Sequence, residues 1–157
     1  MARIELPPGD GLEVTRALTL APHFADVVMG YEKAVGRTTL DKRLHELVRY
    51  RVAQLNQCTV CLAFRWDSGV NESVLAHVEQ WQTSDEFSTA ERAALSFTEQ
   101  FCRHSAGIPD SLIAELEELL PPGQVVELTL VVGKYVAMGR FMQVLGLDQN
   151  CDLSPTT

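Results

Sequence analysis

Two cysteines, Cys58 and Cys61, are separated by two residues in the stretch NQCTVCLAFRW, in a chain that contains only four cysteines. Such a pair can form a redox dithiol, supply half of a metal site, or pack as two small buried residues. In a helix, residues three apart lie on one face and within reach of a disulfide. We therefore interpret the pair first as a dithiol that could cycle with a disulfide.

The residues that flank the pair predict a helix start. Asn56 is a suitable N-cap, and a helix from Cys58 to Asp67 would end at Gly69. Helix N-termini carry partial positive charge and unpaired N–H groups, which lower the pKa of a nearby thiol. A thiolate at such a position would be the better nucleophile at neutral pH.

Two charged residues could assist the thiols. Arg65 follows Cys61 by four residues and Cys58 by seven, so it would share their helix face and favour the thiolate. Glu46 lies on the preceding helix and could transfer a proton if the chain folds back at Asn56. Either residue could instead form an ordinary structural ion pair on the surface of its helix.

Other residue types give weaker signals. A metal site would need two more ligands, but Cys102, Cys151 and four scattered histidines form no second pair with ligand spacing. We therefore expect no bound metal and no cofactor. His45 could replace Glu46 as a proton carrier, although neighbours in a helix point in different directions.

Helical patterns run through most of the chain and must position these residues. The clearest apolar stripe has steps of three and four residues, at Leu40, Leu44, Leu47, Val48, Val52 and Leu55. Residues 88–91, with the sequence STAE, match a capping box. The sequence predicts an all-α, single-domain helical bundle of about six or seven helices. We expect an irregular lead-in over 1–20, the helical domain over 21–148 and a polar tail over 149–157.

Composition limits the partners. Of 157 residues, 46% are hydrophobic and 22% are charged, and the formal net charge is −8. This negative charge disfavours nucleic acid and anionic membranes as partners. No stretch reaches the roughly 20 apolar residues that a membrane span needs, and no signal-peptide core is visible. We expect a cytoplasmic protein, where a close cysteine pair is more often catalytic than structural.

The segment LDKRLHELVRYRVAQLNQCTVCLAFRWDSG resembles the core motif of the alkyl hydroperoxidase D-like and carboxymuconolactone decarboxylase family. Three later segments, FSTAERAALSFTEQF, IPDSLIAEL and VVELTLVVGKYVAMGRFMQVLGL, resemble that family in order and spacing. The resemblance covers roughly residues 20–148. It implies an all-helical fold that assembles into homo-oligomers, often trimers or hexamers.

The resemblance also implies roles for individual residues. Cys61 would attack a peroxide, Cys58 would form a disulfide with it, and Glu46 would belong to a proton relay. Two positions depart from the family pattern. Arg65 stands where a histidine usually follows the pair, and Val60 stands where hydroperoxidase members have a histidine between the cysteines. A relay of titrating imidazoles therefore lacks its usual parts, whereas the dithiol and the carboxylate remain.

These observations support three hypotheses about function. The first is a thiol-dependent antioxidant oxidoreductase that reduces a hydroperoxide or a disulfide and is itself reduced by a thiol donor. The second is a lyase for a small lactone carboxylate, with Arg65 holding the carboxylate and Glu46 or His45 moving protons. The third is a non-catalytic helical oligomer that senses redox state. The cysteine pair favours the first, since decarboxylase-type members do not generally need it.

Overall fold

A computed structural model describes residues 2–148 of the chain, and within this range the secondary structure is helical, without strands. The predicted all-α bundle is confirmed. The eight α-helices of this range are α1 (Glu13–Thr19), α2 (Pro22–Val35), α3 (Lys42–Leu55), α4 (Thr59–Ala63), α5 (Glu72–Ala76), α6 (Thr89–His104), α7 (Asp110–Leu119) and α8 (Pro122–Leu145). Two 3-10 turns lie at Val78–Gln80 and Ser105–Gly107.

The helix count exceeds the predicted six or seven because α1 lies inside the expected irregular lead-in over 1–20, where that prediction was wrong. The carboxylate of Asp148 accepts hydrogen bonds from the backbone N–H groups of Glu13 (2.7 Å) and Val14 (2.8 Å). The first turn of α1 is therefore capped by a residue from the other end of the chain, which a local pattern does not reveal. The predicted tail over 149–157, with Cys151, lies outside the described residues.

Helix α3 is the centre of the bundle and packs against both α6 and α8. Asp41 caps it by accepting hydrogen bonds from the backbone N–H groups of Arg43 and Leu44. Its apolar stripe enters the main core, which includes Leu44, Val48, Val52, Ala94, Phe97, Leu128 and Val132. Each of the larger apolar side chains contributes about 1.5–3 kcal/mol when it is removed from water, so α3 is held firmly.

The chain reverses direction between α3 and α4. Asn56 is the C-cap of α3 rather than the predicted N-cap of the next helix, and Gln57 follows with a left-handed φ of 52°. The Asn56 side-chain amide donates to the Tyr135 carbonyl of α8 at 3.2 Å. A Cβ atom at Gly139 would lie 2.3 Å from that amide nitrogen, so the close approach of α8 requires glycine.

Helix α8 is the longest, with 24 residues, and it ends at Gly146 in a left-handed conformation (φ 66°). Its buried residues include a charged one, Lys134, near the middle of the helix. Within residues 2–148 we find no helix that is both long and apolar enough to cross a membrane.

Candidate functional site

Cys58 and Cys61 are joined by a disulfide, with their Cα atoms 5.2 Å apart. Cys58 is the N-cap of α4, and its sulfur accepts a hydrogen bond from the backbone N–H of Cys61. The two sulfur-bearing residues differ in exposure, since Cys58 is fully buried and Cys61 is half-buried. Helix α4 is a single turn of five residues rather than the predicted helix to Asp67. Its dipole is therefore small.

A cavity of about 420 Å³ lies between α3, α4 and α8, and Cys61 forms part of its wall. Most of its wall is apolar and includes Val52, Val60, Phe64, Trp66, Met138 and Met142. The charged residues that line it are Glu32, Arg49 and Lys134. Its size falls within the usual range of small-molecule sites, which combine an apolar lining with a few polar groups.

Glu46 is fully buried on α3, in an ion pair with Arg49 one turn along the same helix. The Arg49 Nε donates to Glu46 Oε2 at 2.9 Å, and Nη2 donates to Oε1 at 2.7 Å. The third nitrogen, Nη1, donates to the Cys61 carbonyl oxygen at 2.6 Å. Glu46 is thus linked to Cys61 through Arg49, a residue that the sequence analysis did not select for the site.

The same contacts explain why α4 is short. In a longer helix the Cys61 carbonyl would accept from the backbone N–H of Arg65, four residues on. The Arg49 guanidinium occupies that carbonyl instead, and the backbone N–H of Trp66 donates to Glu46 Oε2 at 3.2 Å. The chain becomes extended at Phe64. The α3 ion pair therefore ends α4 and fixes the segment that follows it.

Arg65 lies beyond α4, and its contacts differ from those predicted. Its guanidinium forms a two-bond ion pair with Glu72, at 2.7 and 2.8 Å, and donates to the Leu62 and Phe64 carbonyls. It also lies 5.1 Å from the centre of the Tyr50 ring. The expectation that Arg65 shares a helix face with both thiols fails, because the helix ends at Ala63. The cation in contact with the cysteine pair is Arg49.

His45 is fully buried behind the cavity wall. Its Nε2 lies 3.0 Å from the hydroxyl of Tyr135, and its ring centre lies 3.9 Å from that of Trp66. Burial, with the nearby charges of Lys134 and Arg49, lowers the pKa of His45 to about 4. The imidazole is therefore neutral at pH 7. Burial also raises the pKa of Tyr135, which is one of the residues that line the cavity.

Lys134 is the second buried cation of the site. Its ammonium forms an ion pair with Glu32 of α2 and lies 4.0 Å from the centre of the Tyr135 ring. The side chain of Lys134 is 7% exposed, whereas that of Glu32 is 46% exposed. Burial lowers the pKa of Lys134, and the hydrogen bond from its ammonium to Glu32 partly offsets this change.

The structure joins Cys58 to Cys61 and links Glu46 to Cys61 through Arg49. Arg49, Tyr135 and Lys134, which the sequence did not single out for the site, line the same cavity. Arg49 had a detectable signal, since it follows Glu46 by three residues on the same helix. Lys134 had another, because it interrupts an apolar helix. Within the described range, residues 2–148, no three His, Cys, Asp or Glu side chains cluster so as to hold a metal ion.

Comparison with known proteins places this geometry in a family. The model of the carboxymuconolactone decarboxylase family matches residues 22–100, about half of the chain. The chain is 26% identical over 132 residues to the uncharacterized protein YdfG of Bacillus subtilis (strain 168), an alignment that covers 81% of this chain and 90% of YdfG.

Solved structures share the fold. A protein of unknown function from Agrobacterium tumefaciens, ATU0492, proposed to be the antioxidant defence protein AhpD, superposes with a TM-score of 0.78. The two chains are 20% identical, and the superposition covers 100% of each. An uncharacterized peroxidase-related protein from Silicibacter sp. TM1040 also gives 0.78, with 17% identity and coverage of 93% of this chain and 90% of the other.

Proposed function

The chain belongs to the carboxymuconolactone decarboxylase family, and we propose that it is a thiol-dependent antioxidant oxidoreductase that reduces hydroperoxides. The observation that carries this proposal is the unequal placement of two bonded cysteines. Cys61 lies in the wall of an apolar cavity, and Cys58, bonded to it, is fully buried. A substrate in the cavity would meet Cys61 first.

The proposed reaction begins with the reduced pair. The Cys61 thiolate attacks the terminal oxygen of a hydroperoxide, the O–O bond breaks, and the departing alkoxide takes a proton to become an alcohol. Cys61 is then a sulfenic acid. The Cys58 thiol attacks that sulfur, water leaves, and the disulfide seen in the structure is formed. An external dithiol returns the pair to its reduced form by thiol–disulfide exchange.

Arg49 and Glu46 have separate parts in this proposal. Arg49 is a permanent cation next to Cys61, and positive charge near a thiol favours the thiolate. Glu46 binds Arg49 through both carboxylate oxygens and thereby orients it. A proton transfer by Glu46, as the resemblance implies, would require one of these bonds to open. For Arg65 we propose a positioning role, since it ties the segment after α4 to Glu72.

The proposal is tested by mixing the prereduced protein with cumene hydroperoxide and measuring cumyl alcohol and free thiols. We expect one alcohol per chain and the loss of two thiols. Cys61→Ser should form no alcohol. Cys58→Ser should form one alcohol and leave a sulfenic acid that dimedone labels at Cys61. The control, Cys102→Ser, should behave as the wild type. Absence of alcohol from the wild-type protein would refute peroxide reduction.

Two further measurements, of lactone conversion and of assembly, separate the alternatives. The lyase hypothesis assigns a substrate carboxylate to Arg65, but the guanidinium of Arg65 is already paired with Glu72. Activity on a lactone carboxylate in the Cys58→Ser/Cys61→Ser protein would favour the lyase over the peroxidase. Redox-dependent assembly without alcohol formation would favour a sensing role.

We also propose that the chain forms a homo-oligomer. Several large apolar side chains on the outer faces of α2 and α8 are more than half exposed in the single chain, namely Phe24, Val27, Met29, Val126 and Leu130. Large exposed apolar patches usually mark an interaction site, and we expect a second copy of this chain to cover these side chains. Light scattering after size-exclusion chromatography would give the mass, and a monomer at micromolar concentration would refute the proposal.

A further inference from the structure

The Lys134–Glu32 ion pair at the cavity is asymmetric. The ammonium of Lys134 is held inside, with its side chain 7% exposed, whereas the Glu32 side chain is 46% exposed. The Glu32 side chain has room to rotate into water, provided that another anion takes its place on the ammonium. Lys134 cannot leave, and a buried ammonium without a counter-charge is strongly disfavoured. The position of the Glu32 carboxylate is therefore open to exchange with another carboxylate.

Arg49 is less available to a ligand than Lys134. Each of the three nitrogens of its guanidinium already donates to a protein acceptor, two to Glu46 and one to the Cys61 carbonyl. Lys134 has three N–H donors, and its ion-pair partner within residues 2–148 is Glu32. Of the two cations among the described residues that line the cavity, Lys134 is the more available to an anionic ligand group, because its counter-charge is half exposed whereas that of Arg49 is fully buried.

The remainder of the cavity suits an apolar body. Val60, Phe64, Met138 and Met142 line it together with Cys61, and its volume of about 420 Å³ far exceeds what hydrogen peroxide would occupy. Hydrocarbon in this space would be removed from water, and each buried methylene contributes about 0.8 kcal/mol. A ligand with an apolar chain and one carboxylate would match both the wall and Lys134.

We propose that Lys134 is an anion subsite and that the cavity binds amphipathic organic carboxylates, whose carboxylate replaces that of Glu32 on the Lys134 ammonium. This inference builds on the proposed function, because it names a preference among hydroperoxides: those of medium-chain carboxylic acids should bind more tightly than hydrogen peroxide or neutral alkyl hydroperoxides. The binding step itself needs no thiol. Glu32 then acts as a stand-in that keeps Lys134 paired while the cavity is empty.

Calorimetric titration with two matched probes, octanoate and octanol, tests the subsite. They share an apolar chain, but octanoate ends in a charged carboxylate and octanol in a neutral hydroxyl. Cys61→Ser protein is used as well as wild type, so that binding is measured without thiol chemistry. We expect octanoate to bind on the order of tenfold more tightly than octanol in both proteins, because a charge-assisted hydrogen bond adds to the apolar contact.

Three variants test which residue causes the preference for octanoate over octanol. Lys134→Met should remove the preference for octanoate and leave octanol binding within about twofold, whereas Glu32→Gln should strengthen octanoate binding several-fold by removing the competing carboxylate. Lys33→Met is the matched control, because Lys33 is an exposed neighbour of Glu32 and should not alter either affinity. Circular dichroism checks that each variant is folded, and Glu32→Gln keeps the test decisive if Lys134→Met fails to fold.

The outcomes separate this proposal from the proposed function. Equal binding of octanoate and octanol by wild type, absence of binding by both, or an unchanged octanoate affinity in Glu32→Gln would overturn the subsite. Octanoate binding through Lys134 in a protein that forms no alcohol from cumene hydroperoxide would support the subsite while refuting peroxide reduction. Alcohol formation from cumene hydroperoxide, without any preference for octanoate over octanol, would support peroxide reduction and overturn the subsite.

Discussion

The guanidinium of Arg49 donates a hydrogen bond of 2.6 Å to the carbonyl oxygen of Cys61 while its other two nitrogens hold the carboxylate of Glu46. One buried arginine therefore joins the central helix to the turn that carries the cysteine pair. This relationship makes Arg49, rather than Arg65, the cation that we expect to govern the reactivity of Cys61.

Removal of the Arg49 charge should slow reactions of the Cys61 thiolate. In the double variant Glu46→Leu/Arg49→Met, both charges are replaced by apolar groups, so no buried charge is left unpaired. We expect alkylation of reduced Cys61 by iodoacetamide at pH 7 to slow by about three- to tenfold, because Arg49 contacts Cys61 directly whereas Glu46 reaches it only through Arg49. Loss of the cation should therefore outweigh loss of the carboxylate and leave less thiolate. The reaction is followed by mass spectrometry in a Cys58→Ser background.

The controls for this measurement come from the chain itself. Arg65→Met removes a cation that is paired with Glu72, and it should change the alkylation rate less than about twofold. Cys102 does not obscure the result, because burial raises the pKa of its thiol to about 11 and leaves little thiolate at pH 7. A larger effect of Arg65→Met than of the double variant would restore Arg65 as the activating cation.

Removal of only one partner of the Glu46–Arg49 ion pair should destabilise the folded chain. Glu46→Leu alone leaves a buried guanidinium without its counter-charge, so we expect the free energy of unfolding to fall by about 3–5 kcal/mol. The free energy of unfolding of the double variant Glu46→Leu/Arg49→Met should fall much less. Urea denaturation at pH 7 measures both. Glu72→Gln, which breaks an exposed ion pair, serves as the control and should cost at most about 1 kcal/mol.

Local signals in the sequence predicted the elements that depend on local contacts. The Ser88–Glu91 capping box forms as expected at the start of α6. The predictions were wrong where a residue distant in the sequence determines the backbone conformation. Helix α1 is capped by Asp148 from more than 130 residues away. Long-range contacts of this kind override local propensity.

The same reasoning applies to the candidate site. Spacing selected Cys58 and Cys61 as a pair, whereas the choice of Glu46 depended on the family resemblance. Spacing failed for Arg65, since the periodicity argument assumed a helix that continues past Ala63. The Arg49 side chain takes the Cys61 carbonyl that such a helix would use. The spacing of residues does not show which side chain will compete for a backbone carbonyl.

His45 should make stability depend on pH in a definite window. Its pKa is about 4 in the folded chain, where burial lowers it, and 6.5 in the unfolded chain. Between these values the unfolded state binds more protons, so the contribution of the neutral, buried His45 is fully present above pH 6.5 and is lost as the pH falls towards about 4. The expected loss is about 3 kcal/mol.

Urea denaturation at pH 7 and pH 4.5, in wild type and His45→Gln, isolates this contribution from that of the carboxylates. Glutamine does not titrate, and its amide can still reach the Tyr135 hydroxyl. The wild type should lose more stability than the variant over this interval. Equal losses in both proteins would show that His45 does not titrate on unfolding as its burial implies.

The contact between Gly139 and Asn56 should be sensitive to one added methyl group. In Gly139→Ala the new Cβ would meet the Asn56 side-chain amide nitrogen at 2.3 Å, and the amide holds the Tyr135 carbonyl, so it cannot move without losing that bond. We expect a loss of about 1–3 kcal/mol in the free energy of unfolding, typical of overpacking. Slower disulfide formation by Cys58 and Cys61 should accompany it, because Asn56 ends the helix before the pair.

Gly133→Ala on the same helix is the matched control. A Cβ there would lie 3.7 Å from the Phe101 ring, an ordinary van der Waals distance. Alanine also has the better helix propensity, so this variant should be neutral or more stable by up to about 1 kcal/mol. Chemical denaturation of both variants, with the rate of disulfide formation in an oxidised glutathione buffer, gives the comparison. If Gly139→Ala is as stable as Gly133→Ala, the packing of α8 on the cysteine turn is looser than its contacts indicate.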